Sequence, residues 1–296
     1  MNVLITGANG FLGYYLCRRL LDAGITVMAT GKGECRLPFN DPLFSYHSMD
    51  FTDPYAVDAV FETTKPHVVV HAGAIGSPDK CEQDQHQAYV TNVEGTITLL
   101  LNAAEHKSFF VFISTDFVFD GASGPYKETD IPNPVNYYGR TKMEAEDAVK
   151  EYEYDWAIVR TVLVYGKPGT GRENLLTLVH RSLTQHKEIQ IFDDQFRTPT
   201  YVEDIAKGIV TIIQKRATGI WHISGNEMLT PYQMAILTAQ YLGLDESLVK
   251  KIYEGYLPEA AKRPPRTGFI IEKAFTHLGY QPITFREGLQ KTFDKE

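Results

Sequence analysis

The feature that most constrains this chain is an alternation running through its first half, where short β-rich runs are separated by longer amphipathic stretches. Residues 2–6 (NVLIT), 25–29 (ITVMA), 67–72 (HVVVHA), 109–114 (FFVFIS) and 156–161 (WAIVRT) read as buried strands, and residues 11–23, 54–65, 87–106 and 136–153 carry helical periodicity. Pieces in that order build βαβ units. Because each crossover is right-handed, they wind into a doubly wound parallel sheet of the α/β class, with helices on both faces.

After Gly166 the alternation breaks up. Gly- and Pro-containing turns at 166–171 precede a helix-like stretch over 174–187 and a short strand at 189–192, so the chain leaves the sheet there. Residues 201–215 read as a helix and 219–224 (GIWHIS) as one more buried strand, which brings it back. The expected organisation is a Rossmann domain built from 1–166 and 201–224, with a smaller, discontinuous C-terminal α/β substrate domain from 167–200 and 225–296. A chain of 296 residues is long enough for this, since single cores stop growing near ~250–300 residues.

Composition narrows the class. Apolar residues at 43% and charged residues at 22% sit near globular averages, which speaks against disorder and against a membrane protein. No apolar run approaches the ~18 residues of a membrane helix, and a core-type strand already begins at Asn2, so neither a membrane partner nor a signal peptide is expected and the cytoplasm is the expected compartment. A net charge of -8 offers no basic face to a nucleic-acid backbone, although a local basic pocket can still receive an anionic small molecule. Cys17, Cys35 and Cys81 are odd in number and far apart, which indicates neither a disulfide framework nor a zinc site.

The first strand runs straight into TGANGFLG (6–13), whose Gly7, Gly10 and Gly13 open the first helix. Glycines at that turn serve a tight bend, close approach of backbone to a pyrophosphate, and close packing of helix on strand, with the diphosphate at the positive helix end. At the end of the second strand, an acidic residue would bond the adenosine ribose of NAD. This chain instead reads Thr30-Gly31-Lys32-Gly33, with Arg36 close behind, which suits the extra 2′-phosphate of NADP(H), with NAD(H) as the alternative.

Tyr138 and Lys142 stand at i and i+4 in NYYGRTKMEAE (136–146), on one helix face, and Thr115 ends a strand of the sheet. A phenol titrates near ~10, so its use in proton transfer at neutral pH calls for a neighbouring cation to tune it. Lys142 is that candidate. Catalytic candidates are therefore Thr115, Tyr138 and Lys142, with no metal required.

Here the chain resembles the extended short-chain dehydrogenase/reductases, and among them the dTDP-4-dehydrorhamnose reductases, nearly end to end. STDFVFDG (114–121), HAGAIGSPDKCE (71–82) and TNVEGT (91–96) are similar to segments of that family, as are DDQFRTPTYVEDIA (193–206) and RPPRTGFIIEK (263–273), which lie outside the generic cofactor unit. The resemblance implies cofactor contacts at Gly7, Asn9, Gly10, Phe11, Leu12, Gly13, Lys32, Asp50, Phe51, Ala72, Gly73, Ala74, Asn92, Ser114, Tyr138 and Lys142. Asp50, after the next short strand, would bind the adenine amino group. Substrate contacts would fall on Lys80, Glu82, Asp116, Val118, Gln195, Thr200, Arg263 and Arg266, the two arginines meeting a diphosphate. The implied reaction is hydride transfer to a ketone carbon of a 4-keto nucleotide sugar, as in dTDP-rhamnose biosynthesis. Tyr138 would give the proton, Thr115 would hold the carbonyl oxygen, and Lys142 would bond the nicotinamide ribose while depressing the Tyr138 pKa.

Three departures bear on the substrate: Leu163 stands where the family usually has Trp, Thr267 where Ser is common, and Arg197 where Gly is usual. Two alternatives remain open. One is a nucleotide-sugar epimerase or dehydratase of the same fold, although dehydratases place Asp-Glu after the catalytic Thr where this chain has Asp116-Phe117. The other is a non-catalytic NADP-binding regulatory subunit, because the sequence is also similar to the methionine adenosyltransferase beta subunit. A nucleotide sugar as ligand and a homodimer as assembly complete the expectations.

Overall fold

The computed structural model describes residues 1–169, 173–256 and 260–294. Positions 170 and 171 of the expected turn, and positions 257–259, 295 and 296 of the expected second domain, lie outside the described residues.

The elements run β1 (Asn2–Thr6), α1 (Phe11–Asp22), β2 (Thr26–Gly31), β3 (Phe44–Ser48), α2 (Pro54–Thr64), β4 (Val68–His71), α3 (Pro78–Gln83), α4 (Gln85–Tyr89), one π-helical turn (Val90–Glu94), α5 (Gly95–Glu105), β5 (Phe109–Thr115) and a 3₁₀ turn (Asp116–Val118). They continue as α6 (Tyr137–Lys150), β6 (Trp156–Thr161), β7 (Val164–Tyr165), α7 (Leu175–Thr184), β8 (Ile189–Phe192), β9 (Thr200–Tyr201), α8 (Val202–Lys215), β10 (Gly219–His222), α9 (Pro231–Leu242), β11 (Val249–Ile252), α10 (Glu272–Leu278) and α11 (Phe285–Phe293). Seven strands form one sheet in the order β3-β2-β1-β4-β5-β6-β10, every pairing parallel. This is the doubly wound α/β arrangement, and the strand order reverses between β1 and β4, where such sheets open a ligand crevice.

Period-two alternation assigns the two faces. Val3, Ile5, Val27, Ala29, Val68, Val70 and Val111 pack with Leu16 and Leu20 of α1 and Ile205, Ile209 and Ile212 of α8. Leu4, Met28, Val69, Phe110 and Ile158 point the other way, onto Val57 and Phe61 of α2, Leu99 of α5, and Ala145 and Val149 of α6. Both faces are buried, so the strands read as continuous apolar runs rather than alternating ones. The edge strand β3 is the exception, half-exposed along its length, and it is the short strand expected before Asp50.

The expected single helix over 87–106 is instead three pieces, because the π-helical turn interrupts it and buries Asn92. Residues 219–222 do return to the sheet, with β10 pairing β6 in register His222↔Arg160. Outside the sheet, α7 and α9 pack beside the two-stranded β8-β11 pair, and α11 joins them through Phe285 and Leu289. The ends of α9 and α11 are written locally: Thr230 with Gln233, and Thr284 with Glu287, form capping boxes. Among the described residues no helix is long and apolar enough to cross a membrane.

Candidate active site

Gly7 adopts φ +68, a left-handed turn that a residue with a side chain resists, and a Cβ there would lie 2.8 Å from the Ala72 oxygen and Gly73. Only glycine lets the β1–α1 turn lie against the end of β4. The result is a cleft of about 540 Å³ at the strand-order reversal, lined by Gly7, Asn9, Gly10, Phe11, Gly31, Lys32, Arg36, Ala72, Gly73 and Ala74. Backbone amides at the start of α1 and the cations Lys32 and Arg36 share this space, so the donor set fits a dinucleotide phosphate. Asn9 braces the rim, accepting from the Arg36 amide at 3.0 Å and donating to the Tyr46 hydroxyl at 2.9 Å.

Several expected cofactor contacts are engaged differently. Lys32 and Asp50 form a 2.6 Å ion pair with each other. Burial works to raise the Asp50 pKa, but the Lys32 and Thr52 hydrogen bonds outweigh it and hold the carboxyl below its usual range. The Phe51 ring packs beneath Gly73 and Gly95 and edge-on to His71 at 5.1 Å. The side chain of Asn92 is used within the protein, accepting from the Ile75 amide at 2.8 Å and donating to Thr141 at 3.1 Å. Ser114 likewise donates to Glu146 at 2.6 Å beneath the site. In this structure the side chains of Asn92 and Ser114 act as braces within the protein.

The catalytic candidates converge. Thr115 ends β5, Tyr138 sits in the first turn of α6, and Lys142 is buried one turn further with its Nζ 3.9 Å from the centre of the Phe112 ring. The Thr115 hydroxyl lies beside the Tyr138 phenol closely enough to oppose the rise of its pKa, and it donates to Asp116 at 3.1 Å. Gly139 makes this approach possible: any Cβ there would collide with the Phe117 carbonyl, so the helix could not sit on the 115–117 turn. Asn136 caps α6 by accepting from the Gly139 amide at 2.8 Å, and Glu82 accepts from the Tyr137 amide at 3.0 Å.

The charge states differ from expectation in one respect. The Tyr138 phenol is pushed up, by burial first and then by Asp116 and Cys81, with the Thr115 hydrogen bond opposing. The expected depression by Lys142 is not found, because burial pushes Lys142 itself down to about 7 against Glu146 and Cys81, which raise it. A neutral phenol at physiological pH is the form a proton donor needs.

On the substrate side, Asp116 is buried and bonded by Thr267, with Arg197 Nε 3.6 Å away. Burial raises the Asp116 pKa, while Arg197, Thr267 and Thr115 pull it back. Arg197 also donates to the Pro264 oxygen at 2.7 Å and the Phe196 oxygen at 2.8 Å, so it ties the 197 and 264 segments to the catalytic turn. Arg263 meets Asp79 in a bidentate pair at 2.6 Å on both arms. Arg266 is exposed and Lys80 is exposed above a recess of about 450 Å³ that also includes Ser77, Asp84 and Gln87; Gln195 is half-buried. Two expected substrate contacts have side chains turned into the protein. Val118 is swung by the 3₁₀ turn into an apolar cluster with Phe119, Tyr126, Val162 and Phe269. Thr200 is fully buried with its hydroxyl on the Val162 oxygen at 2.7 Å.

Sequence reasoning missed the layer beneath: Glu146, buried in a pair with Arg160 at 2.6 Å, and Asp79, the partner of Arg263. Glu146 carried a signal, since it lies on the same face of α6 as Tyr138 and Lys142 and faces the core. Asp79 carried none, because its partner is 184 positions away.

Known proteins match this arrangement. The family model described as the RmlD substrate binding domain covers residues 1–296. Methionine adenosyltransferase 2 subunit beta of Bos taurus is 32% identical over 297 residues, covering 98% of this chain and 86% of that protein. A dTDP-4-dehydrorhamnose reductase ortholog from Clostridium acetobutylicum superposes with a TM-score of 0.87 at 29% identity, covering 99% of this chain and 98% of its own. The dTDP-4-dehydrorhamnose reductase of Bacillus anthracis, solved with NADP, gives a TM-score of 0.85 at 28% identity, covering 99% and 98%.

Proposed function

This chain belongs to the RmlD substrate-binding domain family, and we propose that it is an NADPH-dependent reductase of a 4-keto nucleotide sugar, of the dTDP-4-dehydrorhamnose reductase type. The observation that carries the reading is the meeting of Thr115, Tyr138 and Lys142 at the end of β5 and the start of α6, beside the glycine-lined cleft. The NADP bound in the structure of the similar reductase of Bacillus anthracis supports the cofactor. We further read residues 1–166 and 201–224 as the cofactor domain and 167–200 with 225–296 as the substrate domain. The protein works in the cytoplasm on this reading.

The mechanism asks little of the protein beyond placement. When bound, the cofactor would supply the hydride that reduces the ketone carbon, and Tyr138 would pass its hydroxyl proton to the resulting alkoxide oxygen. Thr115 holds the oxygen by turning its hydroxyl proton from Asp116 to it, while its own oxygen still accepts from the Phe117 amide. Lys142 bonds the nicotinamide ribose and meets the phenolate left on Tyr138, which then recovers a proton from solvent. Arg266, Lys80 and Gln195 remain the candidates for the nucleotide diphosphate, with Arg263 shared with Asp79.

The similarity to methionine adenosyltransferase 2 subunit beta favours a second reading, in which the same site binds NADP in a regulatory subunit. Following NADPH consumption against a panel of nucleotide 4-keto sugars separates the two. Turnover with at least one sugar is expected. NADPH binding with no turnover across the panel favours the regulatory subunit.

A further inference from the structure

Tyr138, Lys142 and Glu146 recur every fourth residue along one face of α6. Glu146 is fully buried, and each of its oxygens is used: Oε1 accepts from Ser114 at 2.6 Å and from Arg160 Nε at 2.9 Å, and Oε2 accepts from Arg160 Nη2 at 2.6 Å. Ser114 and Arg160 lie opposite each other in the β5–β6 ladder, one residue before the Thr115↔Thr161 pair. One carboxylate thus fastens the helix bearing the proton donor to the strand bearing Thr115.

We propose that Glu146 is a positioning residue of the site, holding Tyr138 and Lys142 in register with Thr115 through Ser114 and Arg160 and supplying the counter-charge for Lys142. The proposal rests on the reductive reading of the site for its consequence in turnover, but not for its consequence in NADPH binding.

The electrostatic part follows from what surrounds Lys142. On α6 it faces the Tyr138 phenol and Glu146; from β5 comes the Phe112 ring at 3.9 Å. From α3 comes the Cys81 thiol, pushed up to about 11 by burial, and from β4 comes His71, held neutral by burial and by Lys142 itself. Glu146 is the carboxylate in this set. A buried ammonium without an anion sheds its proton, and burial already draws Lys142 down to about 7 with Glu146 opposing. Arg160 shares the same negative charge, so Glu146 serves two cations. Further out, Arg160 meets His222 at 3.5 Å, and burial together with Arg160 keeps that imidazole neutral.

Only protonated Lys142 donates its full set of hydrogen bonds to the nicotinamide ribose, so NADPH affinity should fall as pH rises through the Lys142 titration. The test follows NADPH binding by fluorescence from about pH 6 to about pH 9 in wild type, Glu146→Gln, Glu146→Asp and Lys142→Met. Glu146→Gln should move the midpoint of that fall downward by about one pH unit or more, which at a pH above both midpoints is roughly a tenfold weaker affinity. Glu146→Asp, which keeps the charge, should restore most of the shift, and Lys142→Met should remove the titration. Because Glu146→Gln leaves Arg160 buried without its anion, the double variant Glu146→Gln/Arg160→Gln is measured as well and should show the same direction. Unchanged midpoints in both Glu146→Gln forms, or equal shifts for Gln and Asp, overturn the proposal. Absence of sugar turnover in wild type with the midpoint shift present overturns the reductase reading and leaves the role of Glu146 standing.

Discussion

The two halves of the site are built by different means. On the cofactor side, contiguous backbone does the work: one turn between β1 and α1, with the ends of β2 and β4 beside it, encloses the cleft. On the substrate side, segments distant in sequence are held by side-chain pairs: Asp79 with Arg263, Asp116 with Arg197 and Thr267, Asn136 with the Lys262 oxygen. The difference teaches why relatives can share a cofactor cradle and vary the ligand beside it. A backbone turn tolerates little change, whereas each pair can be exchanged with its own partner. Thr267 and Arg197, two of the departures from the family pattern, lie on the second side with Asp116, whereas Leu163 packs against two apolar clusters and holds φ 26, an uncommon conformation for a side chain of its size.

The largest effect that tests this contrast lies at the seam. Tyr138→Phe removes a proton donor while leaving ring packing against Phe117 intact, so turnover should drop by roughly 10²–10⁴ with NADPH affinity nearly unchanged. Steady-state rates and calorimetry measure both. Wild-type turnover in this variant would mean that another group protonates the product.

How much of this was legible follows the same divide. The glycine spacing of 7–13 and the inward face of α6 follow local periodicity, so Gly7, Tyr138 and Lys142 could be read directly. The π-helical turn at 90–94 left no mark in the pattern, since one shifted hydrogen-bond register does not alter which residues are apolar. The burial of Val118 left no mark either, because its neighbour Thr115 fixes its sequence position but not the face to which a 3₁₀ turn rotates it. The same holds for Thr200: a Thr in a polar segment looks available, yet its hydroxyl closes the gap between β9 and the Val162 carbonyl.

The second effect addresses the buried pair. Asp116→Ala leaves the Arg197 guanidinium without its carboxylate in a nearly dry environment, which should destabilise the fold by about 3–5 kcal/mol in denaturant unfolding. Asp116→Ala combined with Arg197→Met removes both charges and should recover much of that loss. If the single variant is as stable as wild type, the substrate side is not held by its pairs and the contrast between the halves fails.

A smaller effect decides what Arg263 does. The Arg263 hydrogen bonds hold the Asp79 carboxyl below its usual range against the opposing effect of burial. A lowered folded-state pKa means that the pair stabilises above the ordinary carboxylate range and that this contribution fades as pH falls through the lowered value. With Asp79 partly exposed, screening limits it to about 1 kcal/mol. Arg263→Ala should therefore lower the melting temperature at neutral pH and have little effect in strong acid. The two single variants then separate the roles. If Arg263 also meets a diphosphate, Arg263→Ala weakens dTDP binding while Asp79→Ala, which frees the guanidinium, maintains or tightens it. If both weaken it equally, the pair serves only to seat the 261–263 segment against α3.

The smallest effect concerns cofactor choice, and it tests whether the backbone-built side has a side-chain determinant at all. Lys32 and Asp50 are 63% and 37% exposed, so their 2.6 Å ion pair contributes only ~0.2–1 kcal/mol and is readily exchanged for a stronger anion. A 2′-phosphate carries about −1.5 to −2 charges near neutral pH and offers several acceptor oxygens, which favours it over a single carboxylate. Arg36 lines the same cleft, so Lys32 is not the sole cation available there. Lys32→Ala should accordingly weaken NADPH by roughly threefold to tenfold, about 0.7–1.4 kcal/mol, and leave NADH unchanged, narrowing rather than closing the gap. Adding Arg36→Ala should close most of the remainder, while Asp50→Ala, which releases Lys32, should tighten NADPH slightly. Calorimetric titration of both cofactors into all four proteins measures this. Equal affinity for NADH and NADPH in the wild type would show that the cleft recognises only the shared diphosphate, and the NADP assignment would fall with it.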